Sequence, residues 1–435
     1  MLSRLGRLGR LARPGQQARP GFVRGRGALG RPGGRALAGL ALAGALGVAT
    51  SMPAAAAPAD SLRDQQQWVL NMLDVQSAWS LSEGANVTVA VIDSGVNPDV
   101  SDLDGAVITG SDFTDLKTSS SDPHWGQHGT WMASIIAGRG AGFDDGIIGI
   151  APEAKILSIR VIPDSNDPGY KKYDGEAEEQ IQDELAKGIM EAVRDHAQVI
   201  SMSIGYSAPS GKVRAALQSA YDHGIVLVAS AGNSGDNDEQ HNRGGAHGWA
   251  PVSFPAEYPG VLSVGAVSMQ GQPASFSSGN LSVKVAAPGE GVPAQGRNGE
   301  YYTVNGTSPA CALVAGVAAL IKSKYPSISP AEVTEALTAT ARQPVPGGSY
   351  NVLTGFGIVN ADAALIEAGK LTSERPAGSG VSLSSHFGGG QAAIPAAPVA
   401  PRGPGPLAMF TLLALVSLAA AVGGLAVLRR RPRHG

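Results

Sequence analysis

Five apolar, β-branched runs punctuate the middle of the chain, at residues 87–92, 156–161, 199–203, 225–229 and 261–267. Runs this short, bounded by Gly, Asp, Ser and Asn, predict strands. Between them the period changes from two to four. Over 178–196 the residues Ile181, Leu185, Ile189 and Val193 recur every fourth position, which predicts a helix with one apolar face. Residues 213–223 form a second, shorter candidate. Residues 309–325, rich in Ala and Gly, form a third that begins on a proline. Strands alternating with helices predict an α/β domain whose mostly parallel sheet is covered by helices on both faces. In such sheets chemistry collects in the loops that leave the carboxyl ends of the strands. Asp93 closes the first run, Ser203, Ile204 and Gly205 close the third, and Asn233 follows the fourth. The polar loops 163–178 and 236–250 read as surface insertions near that rim.

Both ends depart from this pattern. Residues 4–35 are Arg-rich, 36–50 are apolar and 54–59 are small, which is the order of a secretory signal peptide. Ala57, Pro58 and Ala59 supply an A-x-A cleavage site before Asp60. Residues 407–428 carry no charge, and at about 1.5 Å per residue they span a hydrocarbon core of roughly 30 Å. Arg429, Arg430, Arg431 and Arg433 follow at once, so the positive-inside rule orients the C-terminus to the cytoplasm. Gly, Pro, Ser and Ala dominate 372–406, the composition of an extended tether. The expected organisation is a signal peptide over 1–59, a globular domain over 60–371, a linker over 372–406, a transmembrane helix over 407–428 and a basic tail over 429–435. This is a single-pass protein of the cell membrane with its large domain outside.

Charge sharpens the contrast. The net charge is -3, but nine Arg lie in residues 1–59, where there is no acid, and four more follow residue 428. That leaves 20 basic against 36 acidic residues between the two ends. So acidic a domain disfavours nucleic acid as a partner. Cys311 is the only cysteine, so no intramolecular disulfide can form and thiol usage does not reveal the compartment.

Four segments carry the types of side chain that peptide hydrolysis by a serine requires: V-I-D-S-G-V around Asp93, G-Q-H-G-T around His128, S-A-G-N-S-G around Asn233 and N-G-T-S-P-A around Ser308. A hydroxyl is a weak nucleophile at neutral pH, so it needs an imidazole base, a carboxylate to orient that base and donors for the developing oxyanion. Each motif alone has a bland reading, as a turn aspartate, a structural histidine or a helix cap. Together, in this order, they resemble the subtilase family of serine peptidases. The likeness runs from about Trp68 to Ala368 and includes S-M-S-I-G, F-P-A-E-Y-P and A-S-F-S-S-G.

That resemblance implies a subtilisin-like fold and a serine endopeptidase acting on peptide or protein substrates. Asp93, His128 and Ser308 correspond to the catalytic triad, and Asn233 with the amide of Ser308 to the oxyanion hole. The segments Ser203, Ile204, Gly205 and Ser230, Ala231, Gly232 correspond to edges on which an extended peptide lies, with Ser253 near the floor of a side-chain pocket. Small residues there imply an uncharged P1 side chain. Pro309 stands where many members of the family have Met, and it removes no oxyanion donor because that donor belongs to Ser308. His124, His241 and His247 have no counterpart in the family and no metal-ligand spacing, and Cys311 reads as core. No cofactor or metal is implied.

Only about 30 residues separate Ala59 from the first strand, too few for a folding propeptide domain. That short extension, the leader, the tether and the single C-terminal span resemble the mycosins, membrane-anchored subtilases associated with type VII secretion in actinobacteria, which makes secretion components candidate partners. Two rivals stand beside this reading. One is a subtilase-shaped structural part of a membrane complex, opposed by the presence of all four key residues. The other is a serine-carboxyl peptidase with Glu as base, opposed by His128 in H-G-T.

Overall fold

A computed structural model describes residues 61–116, 118–141, 145–164, 166–170, 178–235, 250–343 and 350–373. The leader, the span 407–428, the basic tail, nearly all of the tether, and His241 and His247 lie outside these residues.

The five predicted strand runs all form strands, displaced by at most one residue at either end. They are β1 (Thr88–Asp93), β3 (Lys155–Arg160), β4 (Val199–Met202), β5 (Val226–Ser230) and β6 (Val261–Val267). Two more join them, β2 (Val107–Asp112) and β7 (Val283–Pro288), in a sheet of order β2-β3-β1-β4-β5-β6-β7. Every pairing in it is parallel. Periodicity missed β2 because it is an edge strand with no fully buried position. A separate antiparallel hairpin pairs β8 (Val292–Gln295) with β9 (Tyr301–Val304).

Alternation along β1 shows how the sheet divides the core. Val89 and Val91 join one buried cluster, while Ala90 and Ile92 join the other. The first cluster packs under α1 (Leu62–Met72), α3 (Gln127–Ala137), α6 (Thr307–Lys324), α7 (Pro330–Ala339) and α8 (Ala361–Ser373), with the short α2 (Val75–Trp79) beside them. The second packs under α4 (Glu178–Arg194) and α5 (Gly211–Asp222), which realise the two amphipathic patterns. Leu185, Ile189 and Val193 of α4 are buried as their spacing predicts. Helices therefore cover both faces.

Helix α6 is buried on nearly every side, from Thr307 to Lys322. Its apolar residues include Leu313, Leu320 and Ile321, each at most 2% exposed. Burying such a side chain stabilises by roughly 2 kcal/mol, so this helix is a central element of the core. At the start of α7, Ser329 accepts from the Glu332 backbone and Glu332 reaches back to Ser329, with Pro330 in the first turn. In the sequence that capping box is S-P-A-E, a start signal independent of apolar period that the reading of periodicity passed over. Helix α8 runs to Ser373, two residues past the expected domain boundary. Among the described residues no helix is long and apolar enough to cross a membrane.

Two features of the topology place the site. Strand β1 lies between β3 and β4, so successive connections depart from it in opposite directions, and a crevice opens at its carboxyl end. Helices α3 and α6 pack against one another over that end of the sheet.

Candidate active site

Asp93 is the last residue of β1 and is only 1% exposed. His128 is the second residue of α3. Its Nδ1 lies 2.8 Å from Asp93 Oδ1 and 2.9 Å from Oδ2. Asp93 Oδ1 also accepts from the backbone N–H of Ser94 at 2.7 Å. The ring is thus held by a carboxylate that is itself fixed. Glycine in H-G-T has a steric cause: a Cβ at Gly129 would stand 2.2 Å from the carbonyl oxygen of Gly95, so only glycine lets the helix start touch the turn after β1. On the far side Trp131 meets the imidazole edge-on, with ring centroids 6.2 Å apart.

A second carboxylate stands at the same helix start. Asp164 Oδ2 accepts from the N–H of Gln127 at 2.7 Å and Oδ1 from the N–H of His128 at 2.9 Å. The loop that carries it is anchored from below, because the Asp167 N–H donates to the Asp164 carbonyl and the Asp167 carboxylate pairs with Arg160 at 2.7 Å. Arg160 is fully buried at the end of β3, also pairs with Asp112 at 2.7 Å, and stacks over the Trp125 ring. The expectation that 163–178 is a surface insertion is therefore corrected for its first part. Residues 163, 164, 167, 169 and 170 are buried or half-buried and brace the site. Residues 165 and 171–177, like 236–249 of the second loop, lie outside the described residues.

These charges set the protonation of His128. Burial disfavours the charged ring, but the Asp93 charge, its hydrogen bond and the Asp164 charge together outweigh it and raise the pKa to about 9. For Asp164 the balance runs the other way. Burial raises its pKa, aided by the Asp93 charge and opposed by the hydrogen bonds from the His128 and Gln127 amides and by the His128 charge.

Ser308 is the second residue of α6, after Gly306 at φ 143°. Asn233 Oδ1 accepts from both the N–H and the hydroxyl of Thr307, each at 2.9 Å. With two donors fixing the oxygen, the amide nitrogen is directed elsewhere. A Cβ built at Gly306 would lie 3.3 Å from Asn233 Nδ2 and 3.6 Å from the backbone N of Ser308, so two donors flank the volume this glycine leaves open. The Ser203 hydroxyl donates to the Ser308 carbonyl at 3.3 Å. Pro309 stands third in the helix, where an N–H has no intrahelical acceptor, so nothing is lost by its absence.

The segments 203–205 and 230–232, expected to bind substrate, come together around Ser253. A Cβ at Gly205 would lie 2.5 Å from Ser253 Oγ, and one at Gly232 would lie 3.6 Å from Ser253 Cβ, so Ser253 sits between the two segments. Ser203 is half-buried, whereas Ile204 and Ser230 are buried and Ala231 commits its N–H to Val264. His124 is exposed, apart from these groups. Cys311, three residues past Ser308, is fully buried, and burial pushes its thiol up to about 11. It is core, as expected. Sequence reading missed Arg160, Asp164 and Asp167. The one available signal was a basic residue, Arg160, inside the mostly apolar run I-L-S-I-R-V, followed closely by two acids.

Comparison with known proteins agrees with this geometry. Residues 84–380, well over half of the chain, match the subtilase family, Peptidase S8. The chain is 35% identical to subtilisin DY of Bacillus licheniformis over 282 residues, 65% of this chain and 92% of that protein. It is 36% identical to mycosin-1 of Mycobacterium tuberculosis over 335 residues, 68% of this chain and 72% of that one. Among solved structures, the serine protease MycP1, described as an essential component of the type VII (ESX-1) secretion system, matches with a TM-score of 0.56 at 36% identity, covering 68% of this chain and 88% of the other. The chain therefore belongs to the subtilase family, as a mycosin-like serine endopeptidase acting on peptide or protein substrates.

Proposed function

We propose that Ser308 is the nucleophile, His128 its general base and then general acid, and Asp93 the group that holds the imidazole tautomer. The observation that carries this reading is the buried Asp93 carboxylate gripping His128 Nδ1 through both oxygens. With Nδ1–H committed to Asp93, Nε2 is the nitrogen left to accept a proton from a hydroxyl. The proton taken from Ser308 as it attacks the scissile carbonyl returns to the leaving amine. Water then repeats the sequence on the acyl-enzyme. The Asn233 amide and the Ser308 N–H receive the oxyanion, in keeping with the two donors around Gly306. A peptide adds as a strand along 203–205 and 230–232, with its P1 side chain toward Ser253. Small neutral residues there favour an uncharged P1 group, so a panel of fluorogenic peptides led by Lys or Arg at P1 would reject that part.

The same proposal places this domain outside the cell, exported by the leader and held by residues 407–428 beyond the tether. Similarity to mycosin-1 and MycP1 supports a role beside type VII secretion components. Fluorophosphonate labelling tests the chemistry. The full-length protein labels and Ser308→Ala does not; a wild type that labels under no condition, or a Ser308→Ala protein that still labels, overturns the assignment of roles.

A further inference from the structure

The base sits in an electrostatically awkward place. A helix start carries roughly half a positive charge on its unpaired N–H groups, which disfavours a cation there. His128 is the second residue of α3, and the N-cap, Gly126, offers no side chain to those groups. The reaction needs an imidazolium at this point. What stands against the helix start is Asp164, whose two oxygens take the N–H groups of Gln127 and His128 separately.

We propose that Asp164 is a positioning residue for His128, whose carboxylate cancels the positive end of α3 and steadies its first turn so that the ring can carry a proton. This rests on His128 being the base. The charge acts on the ring through space while the hydrogen bonds hold the backbone that bears it. Asp164 touches neither substrate nor reacting atoms.

Other groups around His128 leave this part to Asp164. Asp93 comes from β1 and is engaged at Nδ1. Trp131, one turn on in α3, is neutral. Cys311, on α6, is held as a thiol by burial. Arg297, in the turn between β8 and β9, interacts electrostatically with Asp164 and Asp122, and its guanidinium donates to the backbone carbonyls of Asp122 and Ser120. Arg160 is occupied by Asp112 and Asp167. Anchored through Asp167, the loop keeps Asp164 in place without a ligand.

The test compares the full-length wild type with Asp164→Asn and Asp164→Glu after thermal melts establish folding. If Asp164→Asn does not fold, Asp164→Ser, which keeps a short acceptor at the helix start, takes its place. Two quantities are read: the pH dependence of fluorophosphonate labelling and, independently of catalysis, the NMR titration of the His128 ring. Removing the charge lowers both inflections by about one unit, the scale set by a single nearby opposite charge, and Asp164→Glu returns them toward wild type. A folded Asp164→Asn protein with an unmoved His128 titration overturns the proposal. So does an Asp164→Glu protein that titrates like Asp164→Asn. If the wild type never labels, the triad reading fails alone, and the NMR titration still decides the part played by Asp164.

Discussion

At the scale of residues, the side chains with the clearest duties are those whose every polar atom has an assignment. Asn233 divides its amide, with the oxygen on Thr307 and the nitrogen facing the volume beside Gly306. Asn233→Ala should lower kcat about 100- to 1,000-fold, the usual loss for one oxyanion donor. Its KM should change little, which steady-state kinetics on a peptide substrate would check. His128 carries a pH prediction. In the proposed mechanism the neutral ring is the base, and its carboxylate neighbours raise its pKa to about 9. Activity is therefore lost as pH falls, and the inflection of kcat/KM lies on the alkaline side of an ordinary histidine, near 6.5. An inflection at or below 6.5 in the free enzyme would contradict this electrostatic picture.

At the scale of elements, the site depends on two helix starts and one loop that must hold still. The loop after β3 is pinned by Asp167, a fully buried acid on the fully buried Arg160. Asp167→Asn removes one partner of a buried ion pair and should cost about 3 kcal/mol, measurable by urea unfolding. The same substitution should also loosen Asp164 and weaken catalysis, whereas Lys212→Ala, which removes an exposed pair with Asp183, should leave both unchanged. Gly129→Ala would force its Cβ to within 2.2 Å of the Gly95 carbonyl, so α3 must move away from β1. A stable Gly129→Ala protein with full activity would show that this contact is not needed.

At the scale of the whole molecule, the proposed anchor makes its own prediction. The full-length protein should stay with the membrane fraction through carbonate washing, and a chain ending before residue 407 should be released in active form. Release of the full-length protein by carbonate would reject the span. The elements legible in the sequence were those whose neighbours impose a period: the strands β1, β3, β4, β5 and β6, buried on both faces, and the helices α4, α5 and α6. Edge strand β2 and strand β9 escaped because exposure relaxes the pattern, whereas β7 and β8 are buried and escaped although they are largely apolar.

The sequence by itself determined the parallel α/β architecture, because burial on both faces writes itself into apolar runs, and the order of the four motifs on which the proposed chemistry rests, because that chemistry tolerates few residue types. Only the tertiary structure decided which acids matter around His128. Asp93 and Asp164 lie 71 positions apart in the chain and both reach one helix start. Asp164 looked like one more polar residue in an acidic loop. Its significance comes from the amides of Gln127 and His128, 37 and 36 positions away in the chain but adjacent in space, against which Arg160 and Asp167 hold its loop, and no local pattern encodes the folding of a loop back onto the end of another element.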